Sequence, residues 1–295
     1  MFFIHNIDSL EDWGKLFQDR NIFEPLVEYI FRKHGFLYSG IDNCTPGSNA
    51  VFRVGKYVVK IFAPKEAGIG GESDFVTEKF GIMRANQLHI AAPKLFADGV
   101  INDKYIFRYL ILEYIEGESL TELSGKLSGE ERFRIGCDLR DIVDKMDIPG
   151  EKFNNHVLFG KSAEDRWKAF PLSFQRERKE YLKNHEKKTE VYVHGDLNPD
   201  NIIIRANKEI CIIDFADAML APIELEIAGI ICDGFKFDSD YLNGFIGKQN
   251  KSILTEQLLY GLLIHDFGVN IIRDNIGVPG EMHSLEELRN RIIKK

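Results

Sequence analysis

The sequence predicts an α+β fold in two parts, and three observations carry that prediction. Residues 36–115 hold short alternating or β-branched apolar runs separated by turn residues, the period-two signature of a small antiparallel sheet. After Gly117 the apolar positions recur mainly at helical spacing. The 295 residues suffice for two modest lobes, each with its own core.

The elements follow in order. Residues 9–34 read as two amphipathic helices, with Ser9 as a cap and Phe23, Leu26, Val27, Ile30 and Phe31 on one face. Strands are expected at Phe36–Ile41, Ala50–Val54 and Tyr57–Phe62, with Gly55-Lys56 as a hairpin turn. A glycine-rich connection (Gly68, Gly70, Gly71) leads to a helix over 73–88. Two further strands, Lys94–Val100 and Tyr105–Ile115, complete a five-stranded sheet. Beyond Gly117, Ser128-x-x-Glu131 is a capping box opening a helix that buries Phe133, Leu139, Ile142, Val143 and Met146. A second helix is expected over 163–186. Short strands are expected at Val191–Val193, Ile202–Ile204 and Ile210–Ile213, and the remainder is read as helical. The boundary is placed at 116, giving lobes 1–116 and 117–295.

Composition narrows the partners. The formal net charge of −8 disfavours nucleic acid and anionic membrane as ligands, since both need positive charge. Cys44, Cys137, Cys211 and Cys232 form no CxxC pair and no zinc spacing; Cys137 and Cys211 sit in apolar runs and read as core residues. Scattered free cysteines, no signal-like opening and no membrane-length apolar run fit the cytoplasm.

The chemistry concentrates in His194-Gly195-Asp196-Leu197-Asn198-Pro199-Asp200-Asn201, followed by Ile212-Ile213-Asp214-Phe215-Ala216-Asp217. Phosphoryl transfer needs a carboxylate to orient the attacking hydroxyl and accept its proton; Asp196 suits that role. It also needs oxygen ligands for Mg²⁺, and Asn201 and Asp214 suit that one. Upstream, Lys60 interrupts the β-branched run Val58–Phe62, where an unpaired buried lysine would be costly. A phosphate contact and a glutamate on the next helix account for it, Glu78 first and Glu72 second. The turn Thr45-Pro46-Gly47-Ser48-Asn49 offers backbone amides to phosphates. Leu110–Gly117 reads as the strand entering the hinge, with the Glu113 and Ile115 backbone facing the adenine edge and Leu112 behind it. The bland alternative, a polar turn between two strands, explains HGDLNPDN but not the lysine strand.

These residues resemble the aminoglycoside phosphotransferase and choline-kinase-like group over about residues 36–235. In that group the motif usually reads H-G-D-x-x-x-x-N and then I-D-F or I-D-W, as here. The resemblance implies a bilobal protein-kinase-like fold, ATP (or GTP) with Mg²⁺, and transfer to the hydroxyl of a small molecule. Protein kinases usually carry arginine where Gly195 stands and lysine where Asn198 stands, and no A-P-E follows the metal loop, which argues against a protein substrate. Ala216 replaces the glycine of DFG, and Lys145-Met146-Asp147 lacks the Leu-His pair of the antibiotic kinases.

The acceptor is expected to be cationic and polyhydroxylated, aminoglycoside-like first. The alternatives are choline, ethanolamine, a sugar or an amino alcohol as acceptor, or a nucleotide-binding regulator without catalysis. Acidic residues after the metal loop, among them Asp217, Glu224, Glu226 and Asp240, are candidates for the floor against the alternative of solvated surface, Glu226 in Leu225-Glu226-Ile227-Ala228 having the further alternative of a structural carboxylate near the catalytic loop; Asp233 and Asp238 are the candidate substrate contacts beside Asp196. Two look-alikes are set aside. His265-Asp266-Phe267-Gly268 holds a literal DFG but lies in an apolar helical run, where Gly268 reads as a C-cap. Gly160-Lys161-Ser162 lacks the earlier P-loop glycine, Asn155 standing in its place.

Overall fold

In the computed structural model, which describes residues 1–45, 47–185 and 188–295, the chain splits into two units. One is Met1–Glu116 together with Ile213–Ala216, the other Gly117–Ile212 together with Asp217–Lys295. Pro46 of the expected phosphate turn and residue 186 of the expected second helix lie outside the described residues.

The first unit begins with α1 (Leu10–Leu16) and α2 (Arg20–Lys33), capped by the side chains of Ser9 and Asp19. The expected stripe Phe23, Leu26, Val27, Ile30 and Phe31 is buried. Five antiparallel strands follow: β1 (Asp42–Asn43), β2 (Ala50–Val54), β3 (Tyr57–Ile61), β4 (Leu95–Asn102) and β5 (Ile106–Glu113), in the order β1-β2-β3-β5-β4. The strand expected at 36–41 does not form. Gly40 takes a left-handed φ of 87° and ends the extended run, so only Asp42 and Asn43 pair with β2.

Strand alternation sorts the two faces of this sheet. Phe52, Val59, Ile61, Phe107 and Ile111 join Phe3, Trp13 and Phe23 in one apolar cluster that includes the N-terminal helices. Their rings meet at 5.1 Å (Phe3–Phe107) and 5.6 Å (Phe23–Phe52), within the range where aromatic pairs add to burial. Lys60, between Val59 and Ile61, must point to the opposite face. There α3 (Gly71–Gln87) brings Glu78 to it.

The second unit opens with β6 (Glu118–Ser119) and α4 (Gly129–Met146), whose capping box of Ser128 and Glu131 is present in both directions. Ile135, Leu139, Val143 and Met146 are buried. Phe133, expected inside, is 46% exposed, because it lies two residues, about 200° of helix, from Ile135; Ile142 is half-buried. The helix expected over 163–186 is two helices, α5 (Lys161–Arg166) and α6 (Leu172–Asn184). Pro171 at the start of α6 has no N–H to continue the ladder.

Two small sheets follow. β8 (Ile202–Ile204) pairs with β6 and with β9 (Ile210–Ile212), while β7 (Glu190–Val193) pairs with β10 (Met219–Pro222), a strand the sequence did not suggest. Then come α7 (Glu224–Ala228), a π-helical turn over Gly229–Gly234, α8 (Ser239–Ile246), α9 (Lys251–Ile264), α10 (Gly268–Asn275) and α11 (Leu285–Ile293). Gly268 opens α10 instead of capping α9. A Cβ there would lie 2.1 Å from the Leu262 carbonyl oxygen, so close packing requires the glycine. Cys211 is buried as expected, but Cys137 only partly so. No helix among the described residues is long and apolar enough to cross a membrane.

Candidate active site

In the first unit Lys60 is the centre of an ion triad. Its Nζ lies 2.7 Å from Asp214 Oδ1 and 3.1 Å from Glu78 Oε2. Burial works against the ammonium, but the Asp214 and Glu78 carboxylates outweigh it and raise its pKa, so Lys60 stays charged. Burial also raises the Glu78 carboxyl, to about 8, against the pull of Lys60 and with help from Asp214. Lys60 thus has two carboxyl partners, of which Glu78 gains a proton most readily. Asp214 has a left-handed φ of 61°, a conformation a non-glycine residue adopts at some cost, and its side chain is 41% exposed. Glu72, the second choice for Lys60, pairs with Arg108 instead.

The rest of the expected nucleotide site is more mixed. Gly47 and Ser48 are exposed, with the Ser48 carbonyl accepting from Trp13 Nε1 at 2.8 Å. Asn49 is buried, and its Oδ1 accepts the Ala63 N–H at 3.2 Å, so it ties β2 to the end of β3. Leu112 and Ile115 are buried. The Glu113 N–H donates to the Lys94 carbonyl at 2.9 Å and is not open to an adenine edge.

In the second unit, the loop between β7 and β8 is built from below. His194 is fully buried and its Nδ1 accepts the Asp196 N–H at 3.4 Å. Gly195 has φ 82°, and a Cβ there would lie 2.3 Å from the Asp217 carbonyl oxygen. An arginine in that place, as in protein kinases, is therefore excluded by both backbone and space. Glu226 on α7 accepts the Gly195 N–H at 3.0 Å; its carboxyl is pushed up to about 7, first by burial.

Asp196 is held by amides. Its Oδ1 accepts from Asn198 Nδ2 at 3.0 Å and its Oδ2 from Asn201 Nδ2 at 3.4 Å, while its carbonyl accepts from the same Asn201 nitrogen at 2.8 Å. Asn198 in turn caps the short 3₁₀ turn Pro199–Asn201, accepting from Asp200 N at 2.8 Å. Both of these contacts come from neutral amide donors, which leave a carboxylate with further lone pairs to accept through.

Asp196 also lines a cavity of about 220 Å³, together with Leu197, Asn198, Gly229, Asp233, His265, Phe267, Asn270, Ile271 and Asp274. The sequence pointed to Asp233 here but not to His265, Asn270 or Asp274. Its one signal was the polar His265-Asp266 pair interrupting an apolar run. Asp238 is not among the lining residues. It caps α8, accepting from Asp240 N at 2.9 Å, and pairs with Arg132 at 3.3 Å, with Asp240 on the same arginine.

For Mg²⁺, the donor set can be tested by its chemistry. Among the described residues no cluster of three or more His, Cys, Asp or Glu side chains could hold a metal ion. Mg²⁺ needs no such cage: it takes one or two protein oxygens and completes its shell with phosphate and water. Asp214 supplies a carboxylate, and Asn201, having committed its Nδ2 to Asp196, keeps an amide oxygen. Each is a hard oxygen donor of the type that Mg²⁺ takes.

The model of the phosphotransferase enzyme family matches residues 46–250. No curated protein matches the chain by sequence. Among solved structures, the streptomycin–ATP ternary complex of APH(2")-IIa superposes with a TM-score of 0.59 at 17% identity, covering 90% of this chain and 97% of that one. The GDP complex of wild-type aminoglycoside 2'-phosphotransferase-IIIa gives 0.58 at 13%, covering 94% and 98%. A thermostable mutant of APH(4)-Ia with ADP and hygromycin B gives 0.58 at 13%, covering 90% and 97%. At such identities the likeness is one of fold, and the fold is the bilobal α+β architecture of the kinase-like group.

Proposed function

Given that the chain belongs to the phosphotransferase enzyme family, we propose that it transfers the γ-phosphate of ATP to a hydroxyl of a cationic small molecule, with an aminoglycoside-like compound as the first choice. The observation that supports this most is Asp196, a carboxylate fixed by two amides at the wall of a polar cavity.

In this reading the acceptor hydroxyl donates to Asp196, which aligns it and takes its proton as the new O–P bond forms and the bond from the γ-phosphorus to the bridging oxygen breaks, ADP leaving with that oxygen. Lys60, held between Glu78 and Asp214, contacts the nucleotide phosphates. Asp214 and Asn201 would each offer an oxygen to Mg²⁺, which would offset phosphate charge when bound. Leu112 and the backbone at Ile115, with the Glu113 carbonyl, receive the adenine, and the amides of Gly47 and Ser48 face the phosphates. The intact set Lys60, Asp196, Asn201 and Asp214 speaks for turnover over a regulatory role without it.

A second reading, a one-ring sugar or amino alcohol as acceptor, is favoured by the cavity's size. At about 220 Å³ it is smaller than the roughly 300–1,000 Å³ of pockets for drug-sized ligands. The test is ADP release with Mg-ATP over aminoglycosides, choline-like amines and sugars. A cationic acceptor should give a KM that rises with ionic strength. Absence of ADP release over the whole panel defeats the kinase reading; turnover on neutral or anionic acceptors alone defeats the cationic one.

A further inference from the structure

His265-Asp266-Phe267-Gly268, the kinase-like tetrapeptide in the wrong place, takes no part in the chemistry above. Yet His265, at the C-terminus of α9, lines the same cavity as Asp196 and is 5% exposed. Its Nδ1 accepts the Phe267 N–H at 3.0 Å, so the proton of the neutral ring sits on Nε2. Burial, with Arg166 adding to it, lowers its pKa to about 4. At neutral pH the ring is therefore a donor without charge.

Among the described residues nothing accepts from that Nε2–H. A Cβ on Gly229 would lie 3.3 Å from Nε2, so the glycine of the π-helical turn keeps this edge of the ring uncovered. A nearly buried donor with no acceptor is unfavourable until a ligand or water meets it. The charge in the cavity is elsewhere. Asp274 is clamped through both oxygens by Arg273, at 2.7 and 2.9 Å. Asp233 is held by the amide of Asn275 at 3.0 Å, and no cation pairs with it among the described residues.

We propose that His265 is a specificity-determining residue of the acceptor pocket: its Nε2–H donates to a ring or hydroxyl oxygen of one aminated ring, whose ammonium group is met by Asp233. The inference rests on the reading that this cavity takes the acceptor. The cavity holds a single ring-sized unit, and any further rings of the acceptor lie outside it. A ring bearing an ammonium group but no oxygen leaves the imidazole unmet and binds less well.

Calorimetry without nucleotide tests this with two probes, glucosamine and cyclohexylamine, the second keeping ring and ammonium but lacking oxygen. His265→Asn retains an acceptor for the Phe267 N–H through an Asx turn and removes the Nε2 donor. Gly229→Ala leaves the histidine and covers Nε2. Both variants should weaken glucosamine roughly five- to tenfold and leave cyclohexylamine within about twofold. Equal weakening of both probes, no weakening of either, or no binding of glucosamine to the unaltered protein overturns the proposal. The kinase reading is judged separately, by ADP release over the acceptor panel, and survives any of these results.

Discussion

Acidification should destabilise the protein in part by charging His265. The folded-state pKa is about 4, chiefly through burial, against an ordinary value of 6.5. Between these values the unfolded chain binds more protons than the folded one, so stability rises with pH there. The contribution is fully present above the unfolded pKa and is lost as pH falls toward about 4. Over the interval from about pH 7.5 to about pH 5 the loss is about 2 kcal/mol, since a difference of one bound proton costs about 1.4 kcal/mol for every pH step of about one. Arg166 adds to the cost of a charged ring, and Asp266, whose own carboxyl is raised first by burial, titrates beside it. The contribution of His265 is therefore read by difference. Urea denaturation of the unaltered protein and of His265→Asn across that range should show their stability gap shrink by about 2 kcal/mol toward acid. A gap that stays constant within about 0.5 kcal/mol would mean that the imidazole titrates as in an open chain, and the reasoning would fail.

Three further outcomes are expected. Asp196→Asn should lower single-turnover phosphoryl transfer by about 10²–10⁴-fold with nucleotide affinity nearly unchanged; a rate near that of the unaltered protein sinks the assignment. Asp214→Ala should remove the Mg²⁺-dependent tightening of ATP binding in calorimetry, and Lys60→Ala should weaken ATP itself. If Asp214→Ala binds Mg-ATP like the unaltered protein, the metal is held elsewhere. Gly195→Ala should cost more than about 1 kcal/mol, because the new Cβ would lie 2.3 Å from a carbonyl oxygen at positive φ; a denaturation midpoint unchanged from the unaltered protein would refute that account.

The parts legible in the sequence are those where residue type and local pattern suffice. The α2 stripe, the Gly55-Lys56 hairpin and the Ser128–Glu131 box follow from spacing alone, and each is present. Lys60 was readable because a lysine in a β-branched run needs a partner, and the next helix offered Glu78. What escaped depends on contacts made far along the chain. β10 is four residues long and exists because it pairs with β7. Asp238 is expected from the sequence as a substrate contact, but Arg132, over a hundred residues earlier, pairs with it. His265 does end a helix, as the sequence suggests, but nothing local reveals that Gly229 lies against its ring. The π-helical turn that carries Asp233 has no local signature either.

The segment Ile213–Ala216 belongs by its contacts to the first unit, although the chain must pass through Gly117–Ile212 before reaching it. On the ribosome, the first unit is therefore unfinished when residue 116 emerges. Asp214 follows roughly a hundred residues later, a delay of about 5–20 s at typical elongation rates. During that interval Lys60 has Glu78 as its carboxylate partner and waits for the one at 2.7 Å. A chain stopped at the apparent lobe boundary would thus be a truncated unit, and dissection of this protein into separately made halves has to carry residues 213–216 along with the first half.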